Sequence, residues 1–304
     1  MTNKNLSLLG GVSPLTSLDL TVFCDERKME IGGGEGWWYI CMLMVPSSSI
    51  NDVVAALSSA RDERGYHDEM SFGSIRGAAH RSPKTAIAKE WLRLLQAYTG
   101  TDINWKISGI ATHNLGFSYF GPGSDGKGKY ANVYNRFFWT AFLYCINTYF
   151  SDYDTITIND IFHDTEGNLQ HHQYFDWHLP QVVRSSKIEF VDKNITFVVS
   201  DHHKEKEHEK ASILIQLADI FVGSVSQRLD ESSGNRGKIE LGDYMTEMLN
   251  IASNGTWQAG KDGYSVSFFP SQRVGLKGLE RALAPRSGEF FQRSPRTVDQ
   301  PKLF

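Results

Sequence analysis

Long apolar runs are scarce in this sequence, and their scarcity excludes one class of protein at once. The longest, residues 37–45 and 213–225, are too short for a bilayer or are interrupted by Asp219 and Gly223, so no membrane segment is expected. Residues 1–11 lack a basic head, an apolar stretch and a small-residue cleavage pattern, so no secretory leader is expected either. Cysteine is also sparse. Cys24, Cys41 and Cys145 are far apart, and each lies within an apolar segment. That is the usage of reduced, packed thiols, which points to a cytoplasmic protein and excludes a disulfide framework. No pair has the spacing of a metal knuckle.

A large excess of either charge is missing too. The formal net charge is −4, so the chain is not a polybasic nucleic-acid binder, although a metal-filled acidic site needs no such excess. Ten histidines invite a zinc reading. However, His171-His172 and His202-His203 are adjacent and so are expected to point apart, and with His208 they form no paired-histidine helix motif. The glycine-rich residues 121–128 lack the strand-turn-helix context of a phosphate loop and are expected to be a flexible insertion.

What is present is a core. Apolar residues make up 40% of the chain, with 7 Trp, 12 Tyr and 18 Phe, enough to fill one large domain with insertions or a core with an appendage. Residues 18–25 alternate with period two and predict a strand; 37–45 predict a buried second strand. Helices are expected at 50–64 and 83–98, then a strand at 103–111 and a long aromatic helix at 130–150. A strand at 155–164 follows, then a helix at 169–185 broken by Pro180, a strand near 195–199 and a strong helix at 207–229. This alternation predicts an α/β sheet with helices on its faces. Beyond the polar break at 231–237, a helix at 241–252, a hairpin at 256–269 and a helix at 271–283 are expected. The division is a core at 15–230, an accessory region at 231–284 and a loosely ordered tail at 285–304.

Four acids stand where acids are rare. Asp25 ends the first strand with Glu26 beside it; Leu18, Leu20, Val22 and Cys24 share one face, so Asp25 projects from the other with Asp19 and Thr21. In 155–164, Ile156, Ile158, Asp160, Phe162 and Asp164 are expected on one face, with Asp164 at the strand end and Asp160 as second choice. In the helix after 207, Ser212, Gln216, Asp219, Gly223 and Ser226 form a narrow polar or small stripe on an otherwise apolar surface. An ordinary solvated stripe would carry several charges, and this one carries only Asp219. Gly223 is expected to leave room for another backbone or a ligand. Glu69 stands in a short loop whose pattern alone marks it as no more than a loop charge.

These positions resemble the DUF3800 family of RNase H-like proteins. Phe23-Cys24-Asp25-Glu26 resembles that family's opening strand, Glu69-Met70-Ser71-Phe72 its Glu-x-Lys-aromatic motif, and 155–164 its strand ending in Asp. Ser200 with Gln216-Leu217-Ala218-Asp219 is similar to its closing serine and helix. The likeness spans residues 18–229. Arg27-Lys28 replaces the family's Ser-Gly, and Ser71 replaces its Lys. The resemblance implies a mixed five-stranded RNase H-like sheet flanked by helices. It implies Asp25, Glu69, Asp164 and Asp219 as catalytic ligands of Mg²⁺ or Mn²⁺, with Glu26, Asp160, Ser200 and Gln216 as secondary candidates. Two such ions about 3.5–4 Å apart hydrolyse phosphodiesters by activating water and balancing the leaving oxygen. The expected partner is DNA or RNA rather than a membrane, with a homo-oligomer left open. The Ser71 departure motivates a second expectation, an inactive binding or oligomerisation module with this fold. Lys261, Arg273, Lys277, Arg281 and Arg286 are expected to be solvated surface.

Overall fold

The computed structural model describes residues 16–28, 37–111, 126–165, 186–192, 194–230, 232–253 and 263–269. The predicted helices at 169–185 and 271–283, the basic positions from 261 to 286 named above and the tail lie outside them. The described chain forms seven strands, β1 (Ser17–Lys28), β2 (Trp37–Pro46), β3 (Asn104–Ala111), β4 (Thr155–Asp164), β5 (Ile188–Phe190), β6 (Ile195–Val198) and β7 (Tyr264–Phe269). Five α-helices accompany them: α1 (Ile50–Asp62), α2 (Pro83–Tyr98), α3 (Gly126–Tyr149), α4 (Glu209–Asp230) and α5 (Arg236–Ser253).

The sheet is mixed and has seven strands rather than five, in the order β5-β4-β1-β2-β3-β7 with β6 also on β4. β1, β2 and β3 form an antiparallel meander, whereas β4 runs parallel to β1. Two differences account for the extra strands. The strand expected near 195–199 is β6, and a further short strand, β5, precedes it; the two pair parallel with successive parts of β4. β7, the described part of the hairpin expected at 256–269, adds parallel to β3, and the rest of that hairpin lies outside the described residues.

Two apolar layers flank the sheet. On one face Leu20, Val22, Cys24, Ile40 and Met42 pack against α3 through residues such as Phe138, Phe142 and Cys145. On the other, Phe23, Tyr39, Cys41 and Leu43 meet α4. α4 lies on β1 and β2, and α1, α2 and α5 pack around it. This position explains why α4 is apolar on nearly every side. All three cysteines are fully buried, Cys24 and Cys145 in the α3 layer and Cys41 in the opposite one.

α3 and α5 both begin earlier than expected. Gly126 and Gly128 belong to α3 rather than to an insertion. Gly237, expected within a break, lies in the first turn of α5, where a Cβ would stand 2.4 Å from the carbonyl oxygen of Gly77. The glycine therefore serves a close approach, not a turn.

Candidate functional site

In β1 the alternation places Thr21, Phe23, Asp25 and Arg27 on the α4 side and Cys24 and Glu26 on the α3 side. Asp25 is 2% exposed, and its Oδ1 accepts the N–H of Glu26 at 2.8 Å.

The single-face expectation for β4 fails. The register between β1 and β4 shifts between Leu20 and Thr21, skipping Asn159, which is a β-bulge. Ile156 and Ile158 face α3, but past the bulge Ile161 faces α3 and Phe162 faces α4. One extra residue inverts the parity of everything beyond it. The Asn159 side chain donates to Ser47 Oγ at 2.9 Å, and Ser47 Oγ lies 3.0 Å from Thr21 Oγ1, which ties the bulge to β1. Phe23 pairs with Phe162 and Cys24 with His163, so the next step along both strands sets Asp25 beside Asp164 on the α4 face. Asp164 is 9% exposed. Asp160 reaches the same side, half-buried; burial raises its pKa and the charge of His208 opposes this.

Glu26 is carried to the opposite face. Its Oε2 lies 3.1 Å from Nε2 of buried His163, which is also 2.6 Å from the Tyr134 hydroxyl. Nδ1 of His163 donates to the carbonyl oxygen of Asp164 at 2.9 Å. Burial alone would strip a proton from this imidazole, but Glu26 and the Asp164 backbone and carboxylate outweigh it, and the pKa is raised. The ring joins β1 and β4 on the face opposite Asp25 and Asp164.

α4 brings the remaining candidates to this end of the sheet. Fully buried Gln216 accepts the N–H of Met70 at 2.9 Å and donates to the carbonyl of Ser200 at 2.5 Å. Ser212 Oγ donates to the same carbonyl, and the Ser200 hydroxyl donates to Glu69 Oε1 at 2.8 Å. Asp219 Oδ2 accepts the N–H of Phe72 at 2.7 Å. Burial raises the Asp219 pKa, and the charge of Glu69 adds to this, while the Phe72 N–H and Arg27 pull the other way. The room beside Gly223 is taken by Phe72, whose Cγ would lie 2.2 Å from a Cβ there. The polar stripe on α4 is therefore a track that holds the backbone at residues 70, 72 and 200.

Arg61 is a further contributor, absent from the sequence candidates. It is 4% exposed and donates to the carbonyls of His67 and Asp68, while Nη2 stands 2.8 Å from His202 Nε2. It fixes the loop leading to Glu69. Its signal in the sequence is an arginine four residues after Leu57, on the core-facing stripe of α1.

β1 runs on to Lys28, so Asp25 is not the strand end that the sequence suggested; it stands one step past the last β1–β4 pair, on the face of Asp164, and the charge of Glu69 reaches Asp219 across the α4 track. Carboxylates are the donors that Mg²⁺ and Mn²⁺ prefer. In donor type the four fit such an ion. Among the described residues, however, no group of three or more His, Cys, Asp or Glu side chains is gathered closely enough to hold one.

No family model and no curated protein sequence matches this chain. Among solved structures it is similar to a point mutant of Bst-RNase HIII, at 12% identity and a TM-score of 0.27, over 91% of this chain and 64% of that one. It is also similar to Aquifex aeolicus RNase H3, at 12% identity and a TM-score of 0.24, over 73% of this chain and 72% of that one. The chain therefore spans 64% of the length of the first of these. Among the described residues no helix is long and apolar enough to cross a membrane.

Proposed function

We propose that this chain is an RNase H-like, divalent-metal-dependent nuclease of the DUF3800 type, acting on phosphodiester bonds of DNA or RNA. The observation that carries the reading is the pairing of Asp25 with Asp164. Two buried carboxylates sit on one face where the parallel pairing of β1 with β4 ends, one of them put there by a β-bulge. Like charges at this range destabilise one another unless a cation or a proton is shared. The topology supports the reading: an antiparallel meander β1-β2-β3 with β4 parallel to β1 is the arrangement of an RNase H-like core.

In this reading Asp25 and Asp164, with Glu69 and Asp219, hold Mg²⁺ or Mn²⁺. A bound ion would polarise a phosphoryl oxygen and offset the charge that builds on the leaving oxygen. The chain's own groups position the ligands. Ser200 orients Glu69, the Phe72 N–H orients Asp219, and the Glu26–His163 pair holds the two strand ends together.

The test is cleavage of labelled single- and double-stranded DNA and RNA with Mg²⁺, Mn²⁺ or EDTA. Asp25→Asn and Asp219→Asn are each expected to lose metal-dependent cleavage by about a hundredfold or more while melting within a few degrees of wild type. Wild-type rates in either variant would remove the assignment.

A second reading, an inactive binding or oligomerisation module, is favoured by the structural employment of Asp219 and Gln216. Both accept backbone N–H groups, which accounts for their burial without catalysis. Mn²⁺ titration by calorimetry separates the two. Binding in wild type that is lost in Asp25→Asn belongs to the nuclease, and no binding with an intact fold belongs to the module.

A further inference from the structure

Two cationic side chains from two segments flank one ring, and a third stands near one of them. Cζ of Arg27, at the end of β1, lies 4.6 Å from the centroid of Phe72, and Nζ of Lys238, in the first turn of α5, lies 5.0 Å from it. Arg76 stands near enough that its charge, after burial and Arg27, holds the Lys238 pKa down. The facing acids are Asp219, which draws on both Arg27 and Lys238 while its Oδ2 accepts the Phe72 N–H, and Asp230, which draws on Arg27 while it accepts the Tyr39 hydroxyl. Among the described residues the ion pairs involve other side chains, and none includes Arg27, Arg76 or Lys238. Arg76 donates to the carbonyls of Gly73 and Ile75. Nε of Arg27 is buried with no hydrogen-bond partner.

Partly buried Arg27 and Lys238, beside exposed Arg76 and faced by two acids that already accept hydrogen bonds, leave one positive charge over and favour an anion from outside. Arg27 follows Asp25 by two residues on the same strand face, a displacement of about 7 Å, close to the distance between neighbouring phosphates of a strand. We propose that Arg27 and Lys238 bind a backbone phosphate of a nucleic-acid strand, the one next to the phosphodiester presented to Asp25. Phe72 is 1% exposed, so it serves as a platform for the two cations and cannot stack on a base. The subsite therefore recognises charge and not base identity. The inference rests on the nuclease reading for its substrate, but its test is separate.

Binding of fluorescein-labelled single strands and duplexes of DNA and RNA is measured by anisotropy over a range of salt, with Ca²⁺ replacing Mg²⁺ or Mn²⁺. Arg27→Gln and Lys238→Gln are each expected to reduce the slope of log K against log salt by about one, equally for all base sequences. Arg27→Lys is expected to keep the slope, which separates lost charge from lost packing against Phe72. Lys187→Gln, at the opposite ends of the strands, is expected to leave it unchanged. A wild-type slope in the folded double variant, or no binding of any strand by wild type, overturns the subsite. Cleavage with Mn²⁺, lost in Asp25→Asn, is scored independently. The subsite can fail while hydrolysis stands, and its salt dependence can stand where hydrolysis is absent.

Discussion

Asp230 shows how a single buried acid sets a pH dependence. One oxygen accepts the Tyr39 hydroxyl at 3.0 Å, and the other is buried with no hydrogen-bond partner. Burial lifts its pKa to about 6, against the pull of Tyr39 and Arg27. The folded-state value lies above the unfolded one, so folding retains a proton the unfolded chain has lost. This contribution is fully present below the ordinary carboxylate pKa and is lost as pH rises through about 6. Asp230→Asn keeps an acceptor for Tyr39 and removes the titration. Relative to wild type, this variant should gain about 2 kcal/mol between pH 4 and pH 8 in urea unfolding. A constant difference would place the ordinary pKa at this position. Gly223 gives a second test. Its Cβ would collide with the Phe72 ring, so Gly223→Ala should cost about 1–3 kcal/mol in the same experiment. It should also weaken cleavage, because the displaced ring lies beneath the two cations and its backbone N–H is the donor to Asp219.

At the level of elements, what was legible in the sequence follows from what is local. β1, β2, α1, α2 and β4 are written in periodicity and end signals close to where they occur, and the apolar surface of α4 shows plainly. What α4's stripe faces is not written there, since the groups it holds belong to residues 70, 72 and 200. The β4 bulge is also invisible, because Asn159 looks like any polar residue in an alternating strand. Its effect is nevertheless large. Without it Asp164 would face α3 and His163 would face α4. Deleting Asn159 should therefore abolish metal-dependent cleavage and lower the melting temperature. Asn159→Ala, which keeps the residue count, should retain cleavage with only the loss of the Ser47 hydrogen bond. Activity in the deletion variant would show that β4 can recover its register elsewhere. Glu26 illustrates the same limit: adjacent to Asp25 in the chain, it lies on the other side of the sheet, with a histidine that only the β1–β4 pairing brings near.

For the whole molecule, the sheet separates two apolar layers, and each contains its own thiols. Cys24 and Cys145 lie in the α3 layer and Cys41 beneath α4, all with burial-raised pKa values, that of Cys145 pushed up to about 12. A thiol that is neither exposed nor ionised does not react with an alkylating reagent. Each cysteine can thus serve as a built-in clock that records only the moments when its own layer lifts from the sheet. With iodoacetamide in mild urea, Cys24 and Cys145 should be modified at a common rate, and Cys41 at a rate of its own if the layers open separately. Equal rates at all three sites would mean that the molecule opens only as one unit. In either case the chain reports its own breathing without an added label.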